Sequence, residues 1–360
     1  MPTLWAAIMA GGAGTRFWPA SRRDRPKQLL TLFGPETLLA AAVARLQPLV
    51  PPARILVATG AGLANAVRAA CPGIPAANVL GEPVPRDSAG AIVLAAAAVQ
   101  ARDPEATLAV CTADHLIRPA AAFQSALAAL QRVTERERAL GTFAIAPTHP
   151  ETGYGYLRLG QPIASSSGAP SAWRVAAFVE KPDRATAEQY LAAGDYRWNS
   201  GMFCFPLPVL REALARHLPA HASALPALAA GFAGGGADMV LDQVFRGLPK
   251  ISIDYGLMEK AGHVVAGAAP FEWDDVGAWP AMSRVHPADA AGNVSVGDAI
   301  LEDCRDVLAV TDGPLVAGLG LRDALVVAWG GAVLVCPRDR AADLKRLIER
   351  LKADGREDVL

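Results

Sequence analysis

A glycine-rich stretch with basic side chains lies close to the start of the chain and has the residue types needed to bind phosphate. It reads AGGAGTRFWPASRRDRPKQLL and follows the short apolar run LWAAIMA. Gly11, Gly12 and Gly14 allow backbone N–H groups to approach an anion closely. Arg16 supplies a planar fork for phosphate oxygens, and Lys27 supplies a point charge further along. On local grounds alone, a solvated turn is an equally good interpretation.

The spacing in this stretch excludes two familiar nucleotide-binding motifs. A P-loop has the pattern G-x-x-x-x-G-K-[ST], whereas Lys27 lies thirteen residues after Gly14 with prolines between them. A dinucleotide-binding loop needs a third glycine where this chain has Phe17, and Pro19 follows. A nicotinamide-dependent oxidoreductase is therefore disfavoured.

Carboxylates follow apolar runs further along the chain, where a hard cation could be held. In CTADHLI, Asp114 comes after a predicted strand, and ligands gather at strand ends in open α/β sheets. Mg²⁺ prefers carboxylate oxygens and is usually bound by one or two carboxylates plus substrate phosphates. In WDDVGAW, Asp274 and Asp275 are adjacent, so in an extended segment only one of them can point at a metal. A strand-end cap and a solvated turn are the alternative interpretations.

The hydrophobic pattern predicts a scaffold that brings such strand ends together. The apolar runs LWAAIMA, ARILVATG and ATLAVCTADH alternate with the helical stretches TLLAAAVARLQPL, GLANAVRAAC and AGAIVLAAAAVQAR. This βαβα rhythm is typical of a mostly parallel sheet covered by helices. The spacing also predicts a helix over residues 120–138, and a polar turn over residues 165–171.

The rhythm changes after about Trp279. Short apolar segments such as DAILED, DVLAVTDG and ALVVAWGGAVLVCP are separated by Gly and Asp turns and end in the charged helical pattern RAADLKRLIERLKADG. We therefore expect a larger α/β domain over residues 1–285 and a small β-rich, β-helix-like domain over residues 286–360 that ends in a helix. Whether this second domain serves packing or subunit contact is left open.

Taken in order, these motifs resemble those of the sugar-1-phosphate nucleotidyltransferases, in the form seen in mannose-1-phosphate guanylyltransferases. The resemblance starts in the glycine-rich stretch and continues through EPVPRDSAGAI, TADHLI, TGYGYL, FVEKPD, WNSGMFCF, SIDYGLMEK and WDDVGAW, covering about residues 5–280. It implies an α/β fold with a Rossmann-like, mixed and mostly parallel sheet, similar to the GT-A-like nucleotidyltransferases.

The resemblance also implies roles for individual residues. The implied catalytic residues are Arg16 and Lys27, and the implied Mg²⁺ ligands are Asp114 and Asp275. The residues implied to bind the nucleotide are Gly11, Gly12, Gly14, Thr15, Glu82 and Arg86. The residues implied to bind the sugar phosphate are Gly155, Glu180, Lys181, Asn199 and Asp254, with Glu259 near the same end.

One motif departs from the family pattern. Where the family has E-P-x-x-R-N-T-A-P-A-I, this chain retains Arg86 but has Asp87, Ser88 and Gly90 in place of Asn, Thr and Pro. Glu82 is the residue we favour for guanine recognition, because a carboxylate can accept hydrogen bonds from both the N1 and N2 groups of the base.

The implied reaction transfers GMP from GTP to α-D-mannose 1-phosphate, giving GDP-mannose and pyrophosphate by Mg²⁺-dependent in-line attack on the α-phosphorus. The alternatives are a transferase for another hexose or heptose 1-phosphate, and a non-catalytic sugar-nucleotide sensor. The retained set of charges argues against the sensor; it consists of Arg16, Lys27, Asp114, Lys181 and Asp275.

Composition limits the other function classes. The 360-residue chain is 52% hydrophobic and 19% charged, with 34 basic and 35 acidic side chains. Because its formal net charge is −1, we expect neither nucleic acid nor a membrane surface as a partner. The five scattered cysteines form no C-x-x-C pair, which favours a reducing, cytoplasmic environment. A homodimer is left open.

Three further patterns narrow the expected activity. The N-terminus lacks a basic n-region and is interpreted as a buried strand, not as a signal peptide. His217 and His221 have i,i+4 spacing, but Pro219 lies between them, so we expect surface histidines and no metal site. Longer bacterial members of the family have an isomerase domain, whereas the tail up to Leu360 has no histidine-rich cluster. We therefore expect transferase activity without phosphomannose isomerase activity.

Overall fold

The computed structural model describes residues 2–12, 14–164, 171–235 and 237–360. This part of the chain divides into two compact units, each discontinuous in sequence. Unit 1 comprises the chain up to Gly11, Ala42–Ala113 and Ile117–Trp273, and unit 2 comprises Gly12–Ala41, Asp114–Leu116 and Asp274–Leu360. The domain boundary near residue 285 stays a prediction. The predicted turn over residues 165–171 lies, except for its last residue, outside the described part.

Unit 1 is built on a mixed β-sheet. The strands up to residue 274 are β1 (Leu4–Met9), β2 (Ile55–Gly60), β3 (Val79–Glu82), β4 (Thr107–Thr112), β5 (Leu116–Arg118), β6 (Leu140–Ile145), β7 (Gly155–Ile163), β8 (Ala172–Glu180), β9 (Tyr196–Pro206), β10 (Val264–Ala268) and β11 (Glu272–Asp274). The order in the sheet is β3-β2-β1-β4-β9-β6-β10-β8-β7, and β5 pairs separately with β11. The strands β3, β2, β1 and β4 are parallel, whereas β9 runs antiparallel to both β4 and β6.

The described helices belong mostly to unit 1, and the last two in chain order belong to unit 2. The helices are α1 (Leu38–Leu46), α2 (Ala64–Ala70), α3 (Asp87–Gln100), α4 (Ala120–Glu137), α5 (Arg184–Ala193), α6 (Leu207–His217), α7 (Pro219–Gly234), α8 (Ala237–Val240), α9 (Met282–Val285) and α10 (Leu344–Ala353). The helix predicted over residues 120–138 is confirmed by α4. The alanine-rich α3 is buried from Ala89 to Val99 and packs on α7, because its small side chains allow close approach on every side. Among the described helices, none is long and apolar enough to cross a membrane.

Unit 2 contains the β-rich end of the chain. Its strands are β12 (Val294–Val296), β13 (Ala299–Glu302), β14 (Leu308–Thr311), β15 (Val316–Leu319), β16 (Ala324–Trp329) and β17 (Ala332–Pro337). Parallel pairing stacks β12, β14 and β16, and likewise β13 and β15, so successive turns of the chain lie one above another. One core then joins Leu308 and Leu325 of these strands to Leu344 of α10 and to Phe17, far away in sequence. The predicted β-rich end with a closing helix is confirmed.

Candidate active site

In the glycine-rich stretch, the described residues 12 and 14–30 form a compact loop, which we call the phosphate loop. Gly12 and Gly14 have φ values of +95° and +58°, in the left-handed region that favours glycine. The Gly14 carbonyl accepts hydrogen bonds from the backbone N–H of Phe17 at 2.9 Å and from Ser21 Oγ at 2.8 Å. The Gly14 carbonyl therefore holds the loop closed, and the neighbouring Thr15 is exposed.

The loop returns on itself so that Gly14 and Lys27 are in contact. A Cβ added at Gly14 would lie 2.6 Å from the backbone nitrogen of Lys27, which only glycine avoids. Phe17, the residue that breaks the dinucleotide-binding pattern, is fully buried and packs against Trp279 at 5.0 Å between ring centroids. The Lys27 ammonium lies 5.7 Å from the centroid of the Phe17 ring. The long spacing between Gly14 and Lys27 thus allows the loop to fold back and bring these two residues into contact.

Lys27 lies between two acidic segments. Its Nζ donates to Asp114 Oδ2 at 2.9 Å and to the backbone carbonyl of Asp275 at 2.7 Å. The lysine is buried, with 5% of its surface exposed. Burial by itself would raise the pKa of Asp114, but the charges of Lys27 and His115 and the hydrogen bond from Lys27 lower it below its usual value. Three of the predicted residues are therefore brought together around one buried ammonium.

A tight turn gives Asp274 and Asp275 different hydrogen-bond partners and therefore different roles. Val276, a buried β-branched residue, has a φ of +46°, which is an unusual and strained backbone conformation. Asp274 stabilises it by accepting from the Val276 N–H at 2.7 Å, and Arg284 donates to both oxygens of Asp274, at 2.6 and 2.8 Å. Asp275 Oδ1 accepts from the Gly277 N–H at 3.0 Å. Asp274 is thus occupied with the turn itself.

Arg16 lies beside the same turn. A Cβ added at Gly277 would lie 2.7 Å from Asp275 Oδ2 and 3.4 Å from Arg16 Nη1, so the guanidinium and the carboxylate flank this glycine. Arg16 is exposed, as is Gly12 at the start of the phosphate loop. Unit 2 therefore presents a guanidinium and exposed loop backbone next to the buried lysine.

The donor set is compatible with Mg²⁺ bound together with a substrate. No group of three or more His, Cys, Asp or Glu side chains that could enclose a metal occurs in the described residues. Mg²⁺ does not need such a cage, since it retains waters and binds through one or two carboxylates plus phosphate oxygens. Asp114 and Asp275 supply two carboxylates on segments that meet at Lys27.

In unit 1, the predicted sugar-binding residues form a second cluster around Gly155. Gly155 pairs with Glu180 across β7 and β8, and a Cβ at this glycine would collide with Glu180 Oε2 and lie 3.3 Å from Asn199 Cβ. The Glu180 side chain is only 8% exposed, and its Oε2 has no hydrogen-bond partner among the described residues. A buried acceptor of this kind costs free energy unless a donor reaches it.

Lys181 follows Glu180 with a φ of +49°. Its Nζ donates to Glu180 Oε1 at 2.7 Å, while Glu259 Oε1 accepts from the Glu180 N–H at 2.8 Å. Partial burial would lower the pKa of Lys181, but the hydrogen bond and charge of Glu180, with Tyr255 and Asp254, raise it. Lys181 is half-exposed and cationic, so it can bind an anion.

Asn199 lies inside β9 and links two polar partners. Its Nδ2 donates to Asp254 Oδ1 at 2.8 Å, and its Oδ1 accepts from Thr142 Oγ1 at 2.9 Å. Burial and the negative charge of Glu180 raise the pKa of Asp254 to about 6, against the hydrogen bond from Asn199. Thr142 was missed from the sequence, where a threonine within a buried apolar strand gives no signal.

Glu82 ends β3 and is buried. Burial raises the pKa of this carboxyl to about 7, although a backbone hydrogen bond from Arg86 opposes the shift. Arg86 itself donates through Nη2 to the carbonyl of Arg246. The Arg86 backbone therefore lies beside Glu82, whereas the Arg86 guanidinium contacts the segment that contains Arg246.

Each residue that departs from the family motif fits its local surroundings in this structure. Asp87 has a φ of +63°, which Asp and Asn tolerate better than most residues, and Ser88 Oγ accepts from the Ile253 N–H at 2.8 Å. Gly90 is required by space, since a Cβ there would lie 2.5 Å from Arg86 Cβ and 3.3 Å from Phe245. The altered loop is thus internally consistent.

The expectation of two surface histidines is wrong for His221, which is 1% exposed. His217 ends α6, whereas Pro219 starts α7, so the two rings do not share one helix surface. Burial lowers the pKa of His221, against a hydrogen bond with the Pro249 backbone. The i,i+4 rule applies only within a continuous helix.

The chain is similar in sequence to known protein families along nearly its whole length. The family model described as nucleotidyl transferase matches residues 5–292, and that described as MannoseP isomerase/GMP-like beta-helix domain matches residues 297–351. A mannose-1-phosphate guanylyltransferase of Klebsiella pneumoniae is 37% identical over 366 residues, covering 99% of this chain and 75% of that protein. The alginate biosynthesis protein AlgA of Pseudomonas aeruginosa is 35% identical over 354 residues, covering 98% and 73%.

A crystal structure from Thermus thermophilus, described as a mannose-1-phosphate geranyltransferase, has a TM-score of 0.88 at 40% identity, covering 97% of this chain and 99% of that one. The mixed sheet with its phosphate loop, followed by β-helix strands, defines a nucleotidyltransferase enzyme. The chain belongs to the nucleotidyl transferase family, and relatives that match nearly the whole of it are named mannose-1-phosphate guanylyltransferase. The expected fold class and family are confirmed.

Proposed function

We propose that the protein transfers GMP from GTP to α-D-mannose 1-phosphate. The observation that supports this best is Lys27, buried and bonded to both Asp114 and the carbonyl of Asp275. Such a cluster suits a reaction whose catalysis consists of positioning and charge neutralisation. Relatives named mannose-1-phosphate guanylyltransferase, which match 99% of this chain, support the choice of substrates.

The chemistry requires little proton transfer. An oxygen of mannose 1-phosphate attacks the α-phosphorus of GTP, forming one P–O bond. The bond between the α-phosphorus and its bridging oxygen breaks, and the electron pair leaves with pyrophosphate. Because the nucleophile is already an anion, no histidine is needed as a base.

The phosphate loop and the glycine that precedes it would bind the triphosphate. Exposed amides of Gly11 and Gly12 and the guanidinium of Arg16 would hold phosphate oxygens, and Lys27 would neutralise charge at the α-phosphate. Lys27 uses two of its three donors on described protein atoms, which leaves one for a phosphate oxygen. Asp114 and Asp275 would hold Mg²⁺, which when bound supplies further positive charge to the phosphates.

Residues of unit 1 would bind the sugar phosphate and the base. Glu180 Oε2, which has no partner among the described residues, would accept from a sugar hydroxyl, and Asn199 and Asp254 offer further polar atoms nearby. Lys181 would pair with the sugar phosphate. Glu82 in its carboxylate form would accept from guanine N1 and N2.

A pyrophosphate-release screen tests this proposal. Four nucleoside triphosphates are crossed with mannose, glucose and heptose 1-phosphates in the presence of Mg²⁺. We expect release with GTP and mannose 1-phosphate. Release only with another pair would overturn the substrates but not the family, and tight sugar-nucleotide binding without any release would favour a sensor.

A further inference from the structure

The C-terminal residues of unit 2 are bonded directly to the phosphate loop. Trp18 Nε1 donates to the Val359 carbonyl at 2.6 Å, and Arg22 Nη1 donates to the same carbonyl. Arg22 Nη2 donates to the Gly330 carbonyl at 3.2 Å. An outer ion pair joins Arg23 to Glu357 at 2.8 Å. Segments more than 300 residues apart in sequence therefore meet at the loop that includes Arg16 and Lys27.

Apolar packing supports the same contact. Trp18 is 6% exposed, and its core also contains Phe17, Leu344 and Ile348. The helix α10, which supplies the last two residues, packs on the turn Thr15–Phe17. On the other side, Trp279 Nε1 donates to the Trp18 carbonyl at 2.9 Å.

These contacts lie in a part of the loop where the backbone and the charged groups must be held in place. Its glycines give the backbone conformational freedom, and electrostatic catalysis requires the charged groups to be held before the reaction starts. The acceptors for Trp18 and Arg22 are backbone carbonyls, whose positions depend on the fold and not on side-chain rotamers. A guanidinium that bridges two carbonyls also limits rotation in a way that one contact cannot.

We propose that Arg22 and Trp18 are positioning residues, through which the C-terminal segment 357–360 and the Gly330 turn hold the phosphate loop in the geometry that GTP requires. The inference rests on the proposed function, because it concerns how Arg16 and Lys27 are presented to the nucleotide. It also assigns the C-terminal region a part in the transferase reaction itself.

The test compares two neighbouring arginines in the full-length protein. Arg22→Met removes the bonds to Val359 and Gly330, whereas the control Arg23→Met removes only an exposed ion pair, of the kind worth little. We expect Arg22→Met to raise the KM for GTP by about tenfold and to lower kcat, since hydrogen bonds to a charged donor are lost. The KM for mannose 1-phosphate should change less than about twofold because the predicted sugar-binding residues belong to unit 1. Arg22→Lys should restore part of the loss.

Hydrogen–deuterium exchange of the loop amides gives a readout that does not depend on turnover. Residues 14–30 should exchange faster in Arg22→Met than in Arg23→Met, and GTP should slow that exchange. Trp18→Phe removes one N–H donor while keeping an aromatic ring, and serves if Arg22→Met does not fold.

Equal exchange and equal KM values in the two arginine variants would overturn the inference, as would an equal rise in both substrates' KM. If the unaltered protein releases no pyrophosphate, the proposed function fails, and exchange with bound GTP still decides the role of Arg22.

Discussion

At the residue scale, the site depends on charges that are held by specific partners. The Lys27 ammonium is buried but has two oxygen acceptors, so its desolvation is offset. Glu180 shows the opposite condition, with a buried oxygen that lacks a donor among the described residues. The first arrangement is stable before substrate binds, whereas the second is suited to a ligand that supplies the missing donor.

Lys27→Met is expected to lower turnover by about 10²–10³, because a group that neutralises charge on the transferring phosphate is lost. It also leaves Asp114 without its partner, so the depressed pKa of that carboxyl should rise. Asp114→Asn combined with Lys27→Met should recover stability but not turnover. Steady-state kinetics and denaturant unfolding measure both effects, and near-full turnover in the single variant would contradict the assignment.

The raised pKa of Glu82 predicts that nucleotide binding depends on pH. With a pKa of about 7, only about one carboxyl in eleven is ionised one pH unit lower, so GTP should bind about tenfold more weakly at pH 6 than at pH 8. Glu82→Gln should bind weakly at both pH values. Calorimetric titrations of both proteins with GTP separate this effect from ionisation of the nucleotide. If the GTP affinity of both proteins changed with pH in the same way, Glu82 would be excluded from base recognition.

The same shift has a consequence for stability. The folded pKa of Glu82 lies above the unfolded value of 4.5, so this residue favours folding at low pH, and that contribution is lost as pH rises toward 7. Glu82→Gln should therefore gain thermal stability relative to the native protein at pH 8 and little at pH 4.

At the element scale, short turns position the charged groups more than the helices and strands do. The turn 274–277 contains the strained Val276, and it is closed by Asp274 and Arg284. It directs the Asp275 carbonyl to Lys27 and leaves the Asp275 side chain beside Arg16. Lys181 likewise has a positive φ, and Glu259 accepts from the neighbouring Glu180 N–H.

Asp274→Ala is expected to lower kcat by about tenfold, since the hydrogen bonds that hold Val276 in its unusual conformation are lost. Arg284→Met should have a similar effect, and the double variant should be no worse than the stronger single one, because both act on one turn. Asp354→Ala is the matched control, since Arg350 donates to both of its oxygens in an exposed ion pair at the end of α10. Additive losses in the double variant would argue against a shared role.

At the scale of the whole molecule, unit 2 combines three stretches of chain that are distant in sequence. The phosphate loop shares its core with the β-helix strands and with α10, so the loop and the C-terminal region depend on each other for burial. Unit 1 has its own larger core around the alanine-rich α3.

Two isoleucines test this shared core. Ile348→Ala should lower the free energy of unfolding by about 2–5 kcal/mol, because it leaves a cavity in the core that contains Phe17. Turnover should fall as well, since the same core supports the loop. Ile300→Ala, at a position that is 59% exposed, should change stability by less than about 0.5 kcal/mol and leave turnover unchanged. Chemical unfolding and pyrophosphate release measure the pair, and equal effects would contradict the shared core.

Periodicity and turn chemistry were sufficient to predict α4, the alternating strands and helices, and the β-rich end with its closing helix. These features depend on neighbouring residues, whose hydrophobic spacing is visible in one dimension. The burial of His221 could not be predicted in this way, because it depends on where α7 packs.

The sequence by itself determined the family, the element types and the charged residues available for phosphate chemistry. Only the tertiary structure decided that Gly14 touches Lys27, that Asp274 closes a turn while Asp275 meets the lysine, and that Val359 accepts from Trp18. The physical reason is that the residue types within a motif follow from local chemistry. The residues that contact a motif come from segments tens or hundreds of residues away, and no local sequence pattern indicates which segments these are.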